Sequence, residues 1–97
     1  MLSTAFSPPG DILRALGTRA KAARLQHNLS RKSLAAKSGV KESSLKRFET
    51  TGQVSLASLV QLLVALDHAA DLDAVLAERA VPTISSLSQL PRQRGRV

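Results

Sequence analysis

The residues best placed to do chemistry lie in the run LSRKSLAAKSGVKESSLKRFETT, from Leu29 to Thr51. Leu45 and Phe48 are three apart and share one side of a short helix, while Glu42, Ser43, Lys46 and Arg47 fall on the other. That second side carries hydrogen-bonding, mostly cationic groups, and their chemistry is recognition rather than reaction. A short helix with an apolar back and a polar, basic front is what the DNA major groove accepts. Arginine pairs bidentately with guanine O6 and N7, for ~1–3 kcal/mol of discrimination. Glu42 could accept from a cytosine amino group, or equally serve as a first-turn acid that satisfies the helix dipole. Arg31, Lys32, Lys41 and Lys46 read as phosphate contacts, which fix position but carry no sequence code. Ser44 suits a phosphate contact or a local cap.

Catalysis has little to build on. His27 and His68 are isolated in sequence, without a second histidine or a carboxylate at ligand spacing, and read as surface or helix-end residues. Ser43-Ser44-Leu45-Lys46 matches an S-x-x-K string, but it falls on a helix, lacks companion motifs and reads as chance. There is no cysteine and no glycine-rich phosphate loop. The expectation is a protein that is not an enzyme and needs neither metal nor cofactor.

These groups need a scaffold, and the flanking residues describe one. Ser30 can cap a first short helix, in which Leu34 and Ala35 face inward. Gly39 falls where that helix must stop and can take the left-handed backbone without steric cost. Val40 plugs the turn, and a second helix follows over about 42–50. Before this pair, Ile12, Leu16, Ala20 and Ala23 form one face of a helix from Asp11, a plausible cap, to about His27, with Leu13 and Leu25 widening the stripe and Asn28 closing it. After it, Ser55 caps a fourth helix whose stripe is Leu56, Leu59, Val60, Leu63 and Leu66. A fifth helix is expected over about 69–79, with Leu72, Val75 and Leu76 on its apolar side and Asp71 and Asp73 in its first turn.

Arg31, Leu34-Ala35, Gly39-Val40, Leu45, Phe48 and Glu49 together resemble the helix-turn-helix of Xre/Cro-type repressors, and the resemblance extends from about Leu16 to Leu66. It implies an all-α, five-helix, lambda-repressor-like DNA-binding domain. It places Glu42, Ser43 and Arg47 at positions that reach base edges, Arg47 foremost. It also sets Arg24 opposite Glu49 as an internal ion pair bracing the first helix against the recognition helix, which makes Glu49 structural. Arg31 stands where the family commonly has glutamine, and its charge should raise general affinity and salt sensitivity.

The charge pattern agrees with a polyanionic partner. The formal net charge is +7 with a pI near 11.2. Residues 29–53 hold six basic and two acidic side chains, whereas 54–80 hold one basic and four acidic. Two phenylalanines are the only aromatics, so stacking platforms for RNA or single strands are lacking. No signal peptide or membrane-length apolar run is visible, and the absence of cysteine fits a reducing cytoplasm. The organisation expected is a flexible arm over 1–10, the DNA-binding domain over 11–80 and a basic flexible tail over 81–97. Within the tail, Ile84, Leu87 and Leu90 are three apart, and three arginines follow.

One recognition helix touches few base pairs, so a homodimer on paired half-sites is expected, with Leu72, Val75 and Leu76 at its interface or completing the monomer core. The leading function is a sequence-specific repressor on double-stranded DNA. The small size, the Val-Ser-Leu entry to the fourth helix and the basic trailing peptide resemble HipB-type antitoxins. That resemblance implies autoregulation and a HipA-type kinase toxin as partner, facing the tail or Asp71, Asp73 and Glu78. The alternatives are a phage-type or housekeeping repressor without a toxin, and an interaction module that has kept the fold but lost DNA binding.

Overall fold

The computed structural model describes residues 7–78, which form helices and no strand. The elements are α1 (Pro9–Gln26), α2 (Arg31–Ser38), α3 (Glu42–Thr51), α4 (Leu56–Ala65) and a 3-10 helix, Ala69–Ala74. The expected arm and tail, with Ile84, Leu87 and Leu90, lie almost wholly outside the described residues.

α1 starts earlier than Asp11 would have it. Pro8 is the N-cap and Pro9 the first helical residue, where a fixed φ and a missing N–H cost nothing. Asp11 lies in the first turn and pairs with Arg14. At the far end Asn28 takes a left-handed φ of 56°, a conformation asparagine tolerates better than most residues.

The core is Leu34, Val40, Leu45, Phe48, Leu62, Ala65 and Leu66, with Leu16, Ala20, Ala23, Leu29, Val54 and Leu59 packed against it. α1 contributes less apolar surface than its stripe predicts, because Leu13 and Leu25 are exposed. One of its close approaches to α3 is made by a residue without a side chain. A Cβ at Gly17 would overlap the carbonyl oxygen of Phe48, so the glycine lets two backbones meet.

α4 keeps Leu59, Leu63 and Leu66 of its expected stripe at least half-buried, but the stripe is wider on one side and narrower on the other. Leu62, Ala65 and Leu66 are buried, whereas Leu56, Val60 and Val64 face outward, Leu56 at 74% exposure. The helix LASLVQLLVA is apolar nearly all round, so its own sequence does not fix which side turns inward.

The fifth helix departs most from expectation. It is 3-10 rather than α, ends at Ala74, and is followed by extended Val75 and left-handed Leu76. Its three alanines offer little apolar area to dock, and an unpacked short helix is marginal in water. Leu72 is half-buried, Val75 is exposed and Leu76 is 99% exposed. The last two therefore do not complete the monomer core.

Candidate nucleic-acid interface

The geometry begins with the corner between α2 and α3. Ser30 Oγ accepts from the Ser33 N–H at 3.0 Å, capping α2. Gly39 ends α2 at φ 82° and donates its N–H to the Ala35 carbonyl at 2.9 Å. Val40 is buried, and its N–H donates to Ser38 Oγ at 3.1 Å. The turn is thus closed from both sides, which fixes the angle at which α3 leaves it.

α3 divides sharply into two faces. Leu45, Phe48 and Glu49 are buried, and Glu42, Ser43, Lys46, Arg47 and Thr50 are exposed. Lys41 is the N-cap and supplies no side-chain hydrogen bond to the open N–H groups of the first turn, where Glu42 adds a negative charge that suits the dipole. Lys32, Lys41 and Lys46 are exposed and, among the described residues, engage in no ion pair. Ser44 is half-buried.

Behind this front sits a three-residue charge cluster. Arg24 Nε donates to Glu49 Oε2 at 2.7 Å, Arg24 Nη2 to Oε1 at 3.1 Å, and Arg24 Nη1 to the Leu29 carbonyl at 2.9 Å. Arg31 Nε donates to Glu49 Oε1 at 2.9 Å. The Glu49 side chain has 0% exposure and that of Arg24 7%. Burial by itself would raise the Glu49 carboxyl, but hydrogen bonds and positive charge from Arg24 and Arg31 outweigh it and hold the group below its ordinary value. Arg31, expected on phosphate, is therefore already tied to Glu49, with its side chain 29% exposed.

Two shallow depressions flank α3. One is bordered by Arg31, Glu42, Ser43 and Lys46, on the α2 side. The other, towards α4, is bordered by Ser44, Arg47, Gln53, Val54, Ser55 and Ser58. The three expected base readers are thus divided: Glu42 and Ser43 border the first depression and Arg47 the second. Arg47 donates through Nη2 to the Oε1 of Gln53, just beyond the C-cap.

Five features escaped the sequence reading. Arg31 as a second partner of Glu49 had no local signal, because the two are eighteen positions apart. Gly17 offered one, a glycine inside an otherwise good helix. Gln53 had none. His68 does have a carboxylate, since its Nδ1 lies 3.0 Å from Asp71 Oδ2, which corrects the expectation of isolation and follows from their three-residue spacing. His27 Nε2 lies 3.0 Å from the Leu66 carbonyl, which only accepts, so this nitrogen carries the proton and ties the end of α1 to the end of α4. Among the described residues no group of histidines and acids could hold a metal ion, and no helix is long and apolar enough to cross a membrane.

A family model described as Helix-turn-helix matches residues 21–68, from the second half of α1 through the end of α4. No curated protein matches the chain. The matched interval contains Arg24, Arg31, Glu49 and every exposed polar residue of α3, and the match points to a DNA-binding regulator of transcription.

Proposed function

We propose, from a helix-turn-helix segment with this exposed basic front, that the chain is a sequence-specific DNA-binding repressor acting as a homodimer, and that it binds rather than catalyses. One observation carries the reading: the buried side of α3 is fully occupied by Leu45, Phe48 and Glu49, which leaves Ser43, Lys46 and Arg47 outside with no role in the core. Duplex DNA fits that front in charge and width. Base contacts are assigned to Glu42, Ser43 and Arg47, and phosphate contacts to Lys32, Lys41, Ser44, Lys46 and Arg31, whose Nε alone is taken by Glu49. Exposed Val75 and Leu76 are the dimer contacts, with Leu72 beside them.

A narrower reading is supported by the charge division. Asp67, Asp71, Asp73 and Glu78 follow α4 with no lysine or arginine among residues 54–78. An acidic surface away from a DNA-facing one suits a second protein, and the reading is an antitoxin that represses its own operon and neutralises a HipA-type kinase toxin. The deciding experiment is a gel shift of the full chain on duplex selected from a random library, repeated across salt concentrations. A repressor with several phosphate contacts loses affinity steeply with salt; a flat response returns the fold to an interaction module. For the antitoxin reading, the adjacent gene product is co-expressed with full-length chain and with chain ending at Ala80. Failure of both to retain it leaves a repressor without a toxin.

A further inference from the structure

The contact between Arg47 and Gln53 is built more firmly than a chance meeting of two surface side chains. Gln53 follows Gly52, the C-cap of α3, held at φ 85°. A Cβ on Gly52 would collide with the Leu13 backbone, so α1 pins this turn from behind. The Gln53 N–H donates to Thr51 Oγ1 at 3.1 Å, and Thr51 Oγ1 donates to the Arg47 carbonyl at 2.7 Å. The backbone of Gln53 is thereby tied to the same helical turn that carries Arg47, and the side-chain contact closes a ring. A guanidinium has no acceptor, so the Gln53 amide must present its oxygen to it.

We infer that Gln53 is a positioning residue for base recognition: it fixes the direction of the Arg47 guanidinium before DNA arrives. This inference rests on the proposed reading of Arg47 as a base contact. The chemistry is economical. Arginine has five N–H donors; one is taken by Gln53, and the remainder exceed the two that a guanine edge requires. A free arginine on a helix surface must surrender the rotamer freedom of a long side chain on binding, which weakens the contact. With Gln53 as brace, part of that ordering is complete in the free protein. The direction is also limited, which narrows the base pairs Arg47 can meet.

The test uses the full chain and duplex DNA. A duplex is first selected from a randomised library with the unaltered protein, and affinity is then measured for it and for each single base-pair replacement. Arg47→Ala identifies the pair that Arg47 reads. Gln53→Ala is expected to lower discrimination at that same pair by about 2- to 10-fold, with the other positions and the thermal midpoint unchanged, and to add nothing in the Arg47→Ala background. Gln53→Glu keeps the accepting oxygen, so it retains the preference at that pair while its negative charge weakens all duplexes alike. Unchanged discrimination in Gln53→Ala, or an equal loss on every duplex, overturns the brace. If the unaltered protein selects no sequence, the DNA reading itself fails, and that result is distinct because it needs no variant.

Discussion

Arg24 and Glu49 stand 25 positions apart in sequence, yet the Arg24 Nε donates to the Glu49 carboxylate at 2.7 Å, joining the last turn of α1 to the inner face of α3. Arg31 shares the same carboxylate, so one anion serves two cations. Removing the anion therefore does more harm than removing either cation. Glu49→Ala strands the nearly unexposed Arg24 charge and is expected to cost ~3–5 kcal/mol. Arg24→Ala leaves Glu49 with Arg31 and costs less, and Arg31→Ala costs least because that side chain is partly in water. Urea midpoints of the three variants check the order.

The same cluster sets the response to acid. The Glu49 carboxyl is depressed in the folded chain, so the unfolded chain binds its proton more readily. The stabilisation is complete above the unfolded carboxylate value of ~4.3 and is lost as pH falls through the lower folded value. Urea midpoints between pH 6 and 2 should fall with acid, and Glu49→Gln should flatten that limb. An unaltered slope in Glu49→Gln would assign the acid sensitivity to other carboxylates.

Gly17→Ala sets two effects against each other. Alanine favours a helix interior over glycine by ~1 kcal/mol. The new methyl, however, meets the Phe48 carbonyl oxygen, and backbone yields less readily than a side-chain tip. Overpacking of ~1–3 kcal/mol or more should win, lowering the melting temperature. A rise would mean that α1 can shift away from α3.

On DNA, Arg47→Ala and Lys46→Ala should part company. The first is expected to lose ~1–3 kcal/mol on the selected duplex and much less on random sequence. The second should weaken both alike and reduce the slope of log affinity against log salt by about 1. Equal losses for Arg47→Ala would make it a backbone contact.

Leu76→Asp tests the proposed homodimer. The residue is exposed in the single chain, so the substitution should leave the thermal stability of a monomer intact while shifting the sedimenting mass from two copies to one. Unchanged mass would remove this segment from the interface.

The parts of the fold that announce themselves locally were readable from the residues. Ser30 and Ser55 cap the helices they were expected to cap, Gly39 takes the left-handed turn, and Leu45 and Phe48 face inward. What failed depended on neighbours. α4 carries apolar residues on every side, so its phase is decided by what it docks against, and Leu62 and Ala65 displaced Leu56 and Val60. The last helix was read from apolar spacing and first-turn acids, but Val75 and Leu76 are exposed and pack on no surface among the described residues. In the candidate site, the two faces of α3 followed from period, whereas the hold of Arg31 on Glu49 arises only when backbone eighteen residues apart is brought together, and that of Gln53 on Arg47 only when the turn after Gly52 folds back on α3.

The division of α3 has an evolutionary corollary. Leu45, Phe48 and Glu49 fill its buried side, while Ser43, Lys46 and Arg47 lie outside the core. Exchanging Ser43, Lys46 or Arg47 for another polar residue therefore leaves the packed core in place, and on the proposed reading a changed DNA preference is reachable by single steps from a folded ancestor. Phe48, Glu49 and Gly17 lack that freedom, and a lineage that rewrites its target would keep them while its reading edge drifts.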